Sequence, residues 1–385
     1  MEMLQLLETI KAEEASVQKL FGSEGQGAHQ GTKSPQYMKK LAEATQLVAD
    51  VINGRRPAHL LREAMTTSDF PYLFGDILDR QLLAAYAETP QTWPNYARRN
   101  SVRDFRTVKR YGVYGGESVL DAVPEQHEYP ESKISEDTPY SYAVGKYGRK
   151  MPFSWETIIN DDLNALTDIP QRFGKAARYS EEKFVTGLFV DANGPHASFY
   201  TGGNSNIVTR NPVLTLAALQ TALEVLSKQT DQEGNPIFLD MVELVVPPAL
   251  EVTALNILNT IQIQMTEKGG TSARTTYVSN WIKSKFRLNV NAWIPLVATS
   301  TNTHTSWFLF GNPSAGHPAL EIGFLRGHEQ PEIFMKAPNA AKIGGGADAM
   351  NGDFDTDSIE YKVRHVFGGS RMDPKMTVAS NGSGA

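Results

Sequence analysis

Apolar residues recur at helical spacing in three segments before Pro90. Two weakly amphipathic helices are predicted within residues 2–21 and 38–52, and a stronger one over Asp76–Tyr86, which Pro90 stops because proline cannot continue a helix. The polar segment up to about Thr67 has two open interpretations. It is an arm that packs on another molecule, or it is the helical edge of a main domain that begins after it.

Two strand-like segments follow, Phe105–Tyr114 and Tyr142–Trp155, and we predict that they pair. The second alternates at period two, so Tyr147, Arg149 and Met151 share a face. Roughly thirty residues separate the two segments, and they are rich in Glu, Asp, Ser and Pro. Such a polar connection predicts an extended, protruding hairpin.

A long helix is predicted from Asp168 to Val190, with Asp168 as its N-cap and Pro170 in the first turn. About 22 residues at 1.5 Å each make a rod of roughly 33 Å. The Asn193–Pro195 segment ends the helix, and a Gly- and Asn-rich loop follows. A domain boundary is expected near Pro212.

The sequence pattern predicts that the second half of the chain is a unit of mixed helices and strands. One helix carries Leu216, Leu219, Leu223 and Leu226 on one face, and a second follows Pro247 and Pro248. The predicted strands are Leu239–Val246, Phe286–Ala292, Trp307–Phe310, Leu320–Leu325 and Ile359–Phe367, the last with one buried face. The residues from Ser380 to Ala385 are predicted to be a disordered stub.

Composition narrows the class of protein. Hydrophobic residues make up 41% and charged residues 21%, which is typical of a folded chain. Cysteine is absent, which excludes disulfides, thiol nucleophiles and thiolate metal sites. A net charge of -6 argues against a protein that mainly grips nucleic acid. Without an apolar run of roughly 18 to 20 residues, we expect a soluble chain made in a cytoplasm.

A search for chemistry finds no strong motif, so we predict no catalytic residue, no cofactor and no metal. Phosphate loops and nucleophile elbows are missing, and no two of the eight histidines stand four apart. The triad Asp353, Asp355 and Asp357 begins like a calcium loop, but Ser358 and Arg364 stand where glycine and glutamate are needed. A solvated loop is the simpler interpretation.

Several strings resemble the Mu-like major head subunits of tailed phages. They are Asp69-Phe70-Pro71 with Leu78–Tyr86, Asn160–Leu163 leading into Asp168–Ala177, Val246–Glu251, Trp307–Phe310 with Pro313, Glu321–Gly327 with Gln330–Glu332, and Tyr361–His365. Together they cover most of the chain from Asp69 to about Met376, and their order and spacing make the resemblance specific.

The resemblance implies an α+β chain with the Hong Kong phage-type capsid fold, which herpesvirus capsid floors and encapsulins share. Its parts would be an N-terminal arm at 1–68, a peripheral domain begun at 69–113, an extended hairpin loop at 114–142, the rest of the peripheral domain with a long spine helix at 143–212, an axial domain at 213–312, and a return to the peripheral domain with a C-terminal tail at 313–385.

The function that this resemblance implies is structural. Copies of the chain would self-assemble into pentamers and hexamers and form the icosahedral head shell around packaged double-stranded DNA, which is bound without sequence specificity. Expected partners are portal and scaffold proteins, with a decoration protein as a further option and no membrane. The shell would be built in the cytoplasm of a bacterial host and form part of the virion.

Charged residues supply the candidate contacts between subunits. We expect Glu131, Lys133 and Glu136 at the hairpin tip to pair with a basic cluster on a neighbour. Arg98, Arg99 and Arg103 form that cluster. Solvated surface charges are the alternative interpretation of all six residues.

Other classes of protein stay open at this stage. An encapsulin-like cargo shell shares the implied fold, and enclosed protein in place of DNA would favour it. A hydrolase built on two mixed domains would need titratable residues that converge in one pocket. A phage tail or adhesin component is a third alternative, which long helices and an axial unit suit poorly.

Overall fold

The computed structural model describes most of the chain, and its contacts divide into two units. The described residues are 5–13, 35–52, 55–57, 60, 64, 70–110, 113–114, 122–125, 127, 135–136, 140–154, 163–230, 234, 236–237, 239–260, 262–269, 272–300, 302–314, 318–336, 339 and 353–384. Unit 1 comprises 1–90, 146–179 and 328–366, and unit 2 comprises 91–145, 180–327 and 367–385. Both units contain helices and strands, which confirms the mixed class. The predicted domain boundaries stay a prediction.

The elements follow one another along the chain in mixed order. The helices are α1 (5–13), α2 (Pro35–Ile52), α3 (Phe70–Glu88), α4 (Leu163–Phe189), α5 (Leu216–Ser227), α6 (Glu251–Asn259), α7 (Ile282–Lys285) and α8 (Ile294–Val297). The strands are β1 (Arg98–Val102), β2 (Val108–Arg110), β3 (Val113–Tyr114), β4 (Ser135–Glu136), β5 (Tyr140–Tyr142), β6 (Gly145–Ser154), β7 (Val190–Asp191), β8 (Gly194–Pro195), β9 (Val242–Val246), β10 (Gln262–Gly269), β11 (Ser272–Ser279), β12 (Phe286–Val290), β13 (Trp307–Phe310), β14 (Leu320–Leu325), β15 (Glu332–Met335), β16 (Ser358–Arg371) and β17 (Thr377–Ser380).

The helices of unit 1 share one apolar core. Ile10 of α1, Leu41 of α2 and Ile77 of α3 are fully buried there, and Phe173 of α4 joins them. Helix α1 and helix α2 therefore pack as the helical-edge interpretation describes. The role of residues 1–68 as an assembly arm stays a prediction.

Helices α3 and α4 approach each other closely within unit 1. A Cβ at Gly174 would lie 2.5 Å from the carbonyl oxygen of Leu82, so only glycine permits this approach. One turn further on, the Arg178 guanidinium stacks 3.6 Å from the ring centre of Tyr86 and donates to its carbonyl oxygen. This arrangement locks the two helices together.

Strand β16 supplies the sheet of unit 1 with one buried face, as predicted. Ile359, Tyr361 and Val363 point into the core, and β15 pairs antiparallel with the same stretch. Strand β6 also pairs with β16. The prediction that residues 142–155 pair with residues 105–114 is confirmed at Tyr142, which stands opposite Val108, and is wrong for β6, which pairs with the distant strand β16.

Unit 2 is built on a four-stranded sheet in the order β12-β9-β13-β17, with β9 parallel to β12 and antiparallel to β13. Every residue of β9, β13 and β17 is buried. Apolar clusters cover both faces, which explains why these strands read as continuous apolar runs. Helix α5 lies in one cluster, and Thr215 caps its N-terminus by accepting from the Ala218 amide.

The spine helix begins earlier than predicted. Helix α4 starts at Leu163, so Asp168 is an interior residue and not the N-cap, and Pro170 lies inside the helix. Proline removes one backbone hydrogen bond there. Burial of Ile169 and Phe173, one helical turn apart, holds this part of the helix in the core of unit 1.

The C-terminal residues are not a disordered stub. Strand β17 ends at Ser380, and the Gly384 amide donates to the carbonyl oxygen of Asn211 at 2.8 Å. Ser380 donates from its hydroxyl to the carbonyl oxygen of Pro212. Gly382 takes φ +66° against the backbone of Thr305, where a side chain would collide. Composition favours disorder here, but hydrogen bonds from a distant loop override it.

Candidate functional site

The predicted basic cluster lies on the surface of unit 2. Arg98 and Arg99 belong to β1, Arg103 follows that strand, and all three side chains are exposed. The Arg99 guanidinium lies 4.7 Å from the ring centre of Phe324, which holds its position while its charge faces solvent. Within the described residues, none of the three forms an ion pair. The three arginines are thus exposed cations, and their joint action as one contact stays a prediction.

The acidic side of the predicted contact is only partly described. Glu131 and Lys133 lie outside the described residues. Glu136 lies in β4, whose backbone pairs antiparallel with β3 through Val113. Strand β2 pairs with β5 from Val108–Tyr142 to Arg110–Tyr140. The two legs of the predicted hairpin therefore run antiparallel to each other.

A buried carboxylate anchors the base of this hairpin. Glu321 of β14 is 2% exposed, and its Oε1 atom accepts from Tyr142 Oη at 2.7 Å, Arg110 Nε at 2.9 Å and Asn100 Nδ2 at 3.1 Å. The donors come from β5, β2 and β1. Burial and the Glu321 carboxylate raise the pKa of the Tyr142 hydroxyl, so it stays a donor. Three strands are fixed by one oxygen atom.

Two facing glycines form a saddle under the returning leg of the hairpin. Gly323 of β14 and Gly368 of β16 are partners in the ladder. A Cβ at Gly323 would lie 2.6 Å from the Tyr142 ring, and one at Gly368 would collide with the Ala143 carbonyl oxygen. The missing side chains let residues 142–144 lie directly on the sheet. We call Glu321 and this glycine saddle the hairpin anchor.

The sequence analysis does not predict the hairpin anchor. Glu321 lies within one of the strings that resemble the phage head subunits, and no local pattern marks Arg110 or Tyr142 as its partners. The signal that could have revealed the anchor is a lone glutamate inside the apolar run Leu320–Leu325, because a buried carboxylate needs donors nearby. The partners stand 211 and 179 residues away along the chain, which no local pattern detects.

The part of α4 in unit 2 carries the best candidate for the hydrolase alternative, the adjacent buried acids Glu181 and Glu182. Glu182 accepts from the Thr92 amide at 2.5 Å and from the Thr92 hydroxyl at 2.7 Å, and Glu181 accepts from the Trp93 indole at 3.3 Å. Burial raises the pKa of Glu182, and the bonds from Thr92 oppose it. Both acids serve to hold the 3₁₀ turn Trp93–Asn95.

The described part of the chain holds no group of three or more His, Cys, Asp or Glu residues with metal-binding geometry. Asp353 of the calcium-like triad accepts from Lys336 at 3.1 Å and from Asn339 at 2.6 Å, so its Oδ1 atom is already occupied. Among the described helices, none is long and apolar enough to cross a bilayer.

Comparisons with known proteins give a family and several structural similarities. The family described as phage capsid protein matches residues 137–380. A comparison with curated proteins found no match. The chain is similar to the virus-like particle from Pyrococcus furiosus, at 10% identity and a TM-score of 0.45, over 80% of this chain and 99% of that one. It is also similar to a chain of Gordonia phage Cozz, at 12% identity and a TM-score of 0.44, over 76% and 86% of the two chains.

A third similar structure is the holo-SrpI encapsulin complex from Synechococcus elongatus PCC 7942, at 11% identity and a TM-score of 0.45, over 76% of this chain and 88% of that one. The family match is what identifies the protein, because it spans more than half of the sequence and includes the buried strands of unit 2 and the Glu321 carboxylate. The chain therefore belongs to the phage capsid protein family and is a structural protein of a phage shell.

Proposed function

We propose that this capsid protein is a Mu-like major head subunit whose copies assemble through pentamers and hexamers into an icosahedral shell around double-stranded DNA. The observation that carries the proposal is the family match over residues 137–380. The subunit works without catalysis, and it has the arm, peripheral domain, spine helix and axial domain of the Hong Kong phage-type fold. Portal and scaffold proteins complete the head in the cytoplasm of the host, and a decoration protein is an optional addition.

The proposed contact between subunits joins the hairpin loop of one copy to the basic cluster of the next. Residues 114–142 contain seven acidic residues and one lysine, whereas Arg98, Arg99 and Arg103 are exposed cations. Opposite charge of this kind steers association and selects the correct partner. Glu131 and Glu136 meet the arginines in this proposal, and Lys133 meets an acidic residue beside them.

The acidity of the chain suits a container for DNA. A net charge of -6 gives the shell wall weak repulsion toward phosphate, which leaves the packaged genome mobile. The wall therefore encloses DNA without gripping it. Strong binding of isolated subunits to DNA at physiological salt would contradict this part of the proposal.

Assembly is tested by negative-stain electron microscopy and light scattering of the full chain purified after expression alone. Closed shells, or rings of five and six, are the expected result, because large interfaces between copies hold such a shell. A monodisperse 42.5 kDa monomer that stays monomeric after phage lysate proteins are added would overturn the proposed function.

The contact is tested separately by charge reversal. Arg98→Glu, Arg99→Glu and Arg103→Glu together are expected to reduce assembly at least about tenfold at low salt, and adding Glu131→Lys and Glu136→Lys is expected to restore it. The matched control reverses three exposed lysines elsewhere, Lys146, Lys283 and Lys285, and changes the net charge equally. Unchanged assembly of the arginine variant would reject the contact.

A further inference from the structure

Another hairpin in unit 2 has two outer edges that no strand of the described residues covers. Strands β10 and β11 pair antiparallel over eight residues each, from Gln262–Ser279 to Gly269–Ser272. They form a sheet of their own, and neither pairs with a third strand in the part of the chain that the structure describes. At about 3.3 Å per residue, this ladder is roughly 26 Å long.

Such a ladder is unusual in a stable protein. An isolated two-stranded hairpin is marginally stable in water, because half of the backbone groups of each strand have no partner within the sheet. A long free edge also invites pairing with another chain, and proteins normally shorten, cover or charge such edges. The β10–β11 hairpin is therefore shaped to gain stability from a strand outside it.

The base of this hairpin is held firmly, which gives the ladder a defined direction. Asn280 follows β11, and its Nδ2 atom donates to the carbonyl oxygens of Ile257 at 2.9 Å and Leu258 at 3.2 Å. Its Oδ1 atom accepts from the Ile282 amide at 3.0 Å. One side chain thus ties the end of α6 and the start of α7 to the hairpin. A partner strand would therefore meet a β10–β11 ladder whose base has a fixed position.

The two free edges of the hairpin indicate which kind of partner pairs with it. A single foreign strand would cover one edge and leave the other uncovered. A second copy of this chain offers the complementary edge, so β10 of one copy can pair with β11 of the next, and the antiparallel alternation continues. Repeated head-to-tail contacts cover every edge only when they close into a ring. Copies of a shell protein are also the molecules that surround each subunit.

We propose that the β10–β11 hairpins of five or six copies pair edge to edge around the axis of each ring and form a closed β-barrel with two strands from each copy. This inference rests on the proposed function, since it requires that copies assemble into rings. It concerns a surface different from the hairpin anchor and the basic cluster. The partner is a second copy, and the binding groups are backbone amides and carbonyls of residues 262–269 and 272–279.

Cysteine cross-linking tests the pairing against a clean background, because the chain has no cysteine. One tagged chain carries Thr266→Cys in β10, and a differently tagged chain carries Thr275→Cys in β11. A second pair, Thr266→Cys with Tyr277→Cys, covers a register shifted by two residues. A short bis-maleimide is added to rings assembled from each mixture. Because β10 faces β11 of the next copy, the main product is expected to join the two different tags, at least about tenfold above products that join identical tags.

The control pair combines Thr275→Cys with Glu224→Cys, whose position lies on the exposed side of α5. This pair is expected to give only background cross-linking. Products that join two copies of Thr266→Cys would show β10 edges facing each other and would overturn the head-to-tail arrangement. Rings or shells that form normally without any cross-link at the hairpin would overturn the barrel and leave the proposed function intact. Absence of rings under all conditions would overturn both.

A deletion variant gives an independent readout. Residues 262–279 are replaced by a short Gly-Ser linker, and Asn280 is kept so that α6 and α7 stay joined. The subunit is expected to unfold at nearly the same denaturant concentration as the unmodified chain, while closed rings fall at least about tenfold. Rings that form at the unmodified level would contradict the inference. A Gly-Ser linker in place of residues 203–205 controls for loop replacement as such.

Discussion

The β2–β5 hairpin and the β10–β11 hairpin, both in unit 2, differ in what holds their bases. The legs β2 and β5 lie on the glycine saddle and send Arg110 and Tyr142 to the buried Glu321 carboxylate. The legs β10 and β11 have the amide of Asn280 at their root and no third strand among the described residues. The first hairpin belongs to the folded core of the subunit. The second is the one that we propose neighbouring copies stabilise.

Two buried glutamates of unit 2 give a second contrast. Glu321 directs one oxygen toward three donors, whereas Glu243 of β9 has a single described partner, Arg287, at 3.5 Å. The Oε2 atom of Glu243 has no hydrogen bond from the described residues. A buried carboxylate with few donors resists ionisation. The first glutamate stabilises its region through its bonds, and the second costs stability when it is charged.

The largest expected effect comes from filling the glycine saddle. Gly368→Ala places a Cβ against the Ala143 carbonyl and the Val144 backbone, which cannot rotate away. We expect a loss of about 3 kcal/mol in the free energy of unfolding, measured by urea denaturation. The matched control is Gly187→Ala in α4, where nothing lies within 4 Å and helix propensity predicts a small gain. Equal unfolding free energies of Gly368→Ala and Gly187→Ala would show that the glycine saddle does not stabilise the first hairpin.

Removal of the anchor charge is the next largest change. Glu321→Gln keeps an oxygen for Tyr142 and Asn100 but leaves the Arg110 guanidinium without its carboxylate. We expect a loss of about 2 kcal/mol in unfolding free energy. The control Glu224→Gln breaks an exposed ion pair with Lys228 and is expected to leave stability nearly unchanged. A neutral Glu321→Gln variant would show that the carboxylate does not anchor the hairpin.

The pH dependence of stability sharpens the contrast between the two glutamates. Burial raises the pKa of Glu243 from 4.5 to about 7, and Arg287 opposes this shift. The folded chain therefore holds a proton that the unfolded chain releases above pH 4.5, so stability falls as the pH rises toward 7. Glu243→Gln is expected to reduce this fall by about 2 kcal/mol between pH 5 and pH 8. Identical pH profiles of the variant and the unmodified chain, from thermal unfolding, would contradict the assignment.

The smallest effect is expected at the root of the second hairpin. Asn280→Ala removes the donors to Ile257 and Leu258 and the acceptor for the Ile282 amide. We expect a loss of about 1 kcal/mol in monomer stability. Asn256→Ala, an exposed change on α6, is the control and is expected to be neutral. A loss as large as that of Gly368→Ala would mean that the two hairpins are held equally well.

The sequence allowed the prediction of elements whose pattern is local. Helix α5 carries the predicted leucines, and Leu219 and Leu226 are fully buried. Strands β13 and β14 match their predicted bounds, because continuous apolar runs leave little choice of structure. The mixed class was predicted from local hydrophobic patterns, and short local strings pointed to a phage capsid protein, which the family match confirms. The narrower Mu-like family stays a prediction.

Features that depend on distant partners were not predictable. In β12, polar Asn289 stands between the apolar Leu288 and Val290, yet it is buried and donates to the carbonyl oxygen of Thr92. Asn291 is also buried, with donor bonds to Tyr96 and Thr186. The ordered C-terminal residues and the Glu321 anchor likewise depend on hydrogen bonds to residues far away in the sequence. A polar residue in a strand is predicted to be exposed unless its hydrogen-bond partner is known. For these residues the partner is distant in the sequence, so no local pattern reveals it.

The parallel pairing of β1 with β14 has a consequence for synthesis on the ribosome. Arg98 lies beside Glu321 in that ladder, and the Arg110–Glu321 bond spans 211 residues. At roughly 5 to 20 residues per second, about 10 to 40 seconds pass between translation of the two halves. During that interval a nascent chain cannot fix its first hairpin. Truncated products therefore lack the correctly presented hairpin, so the subunit becomes competent for shell building only after almost all of it has been translated.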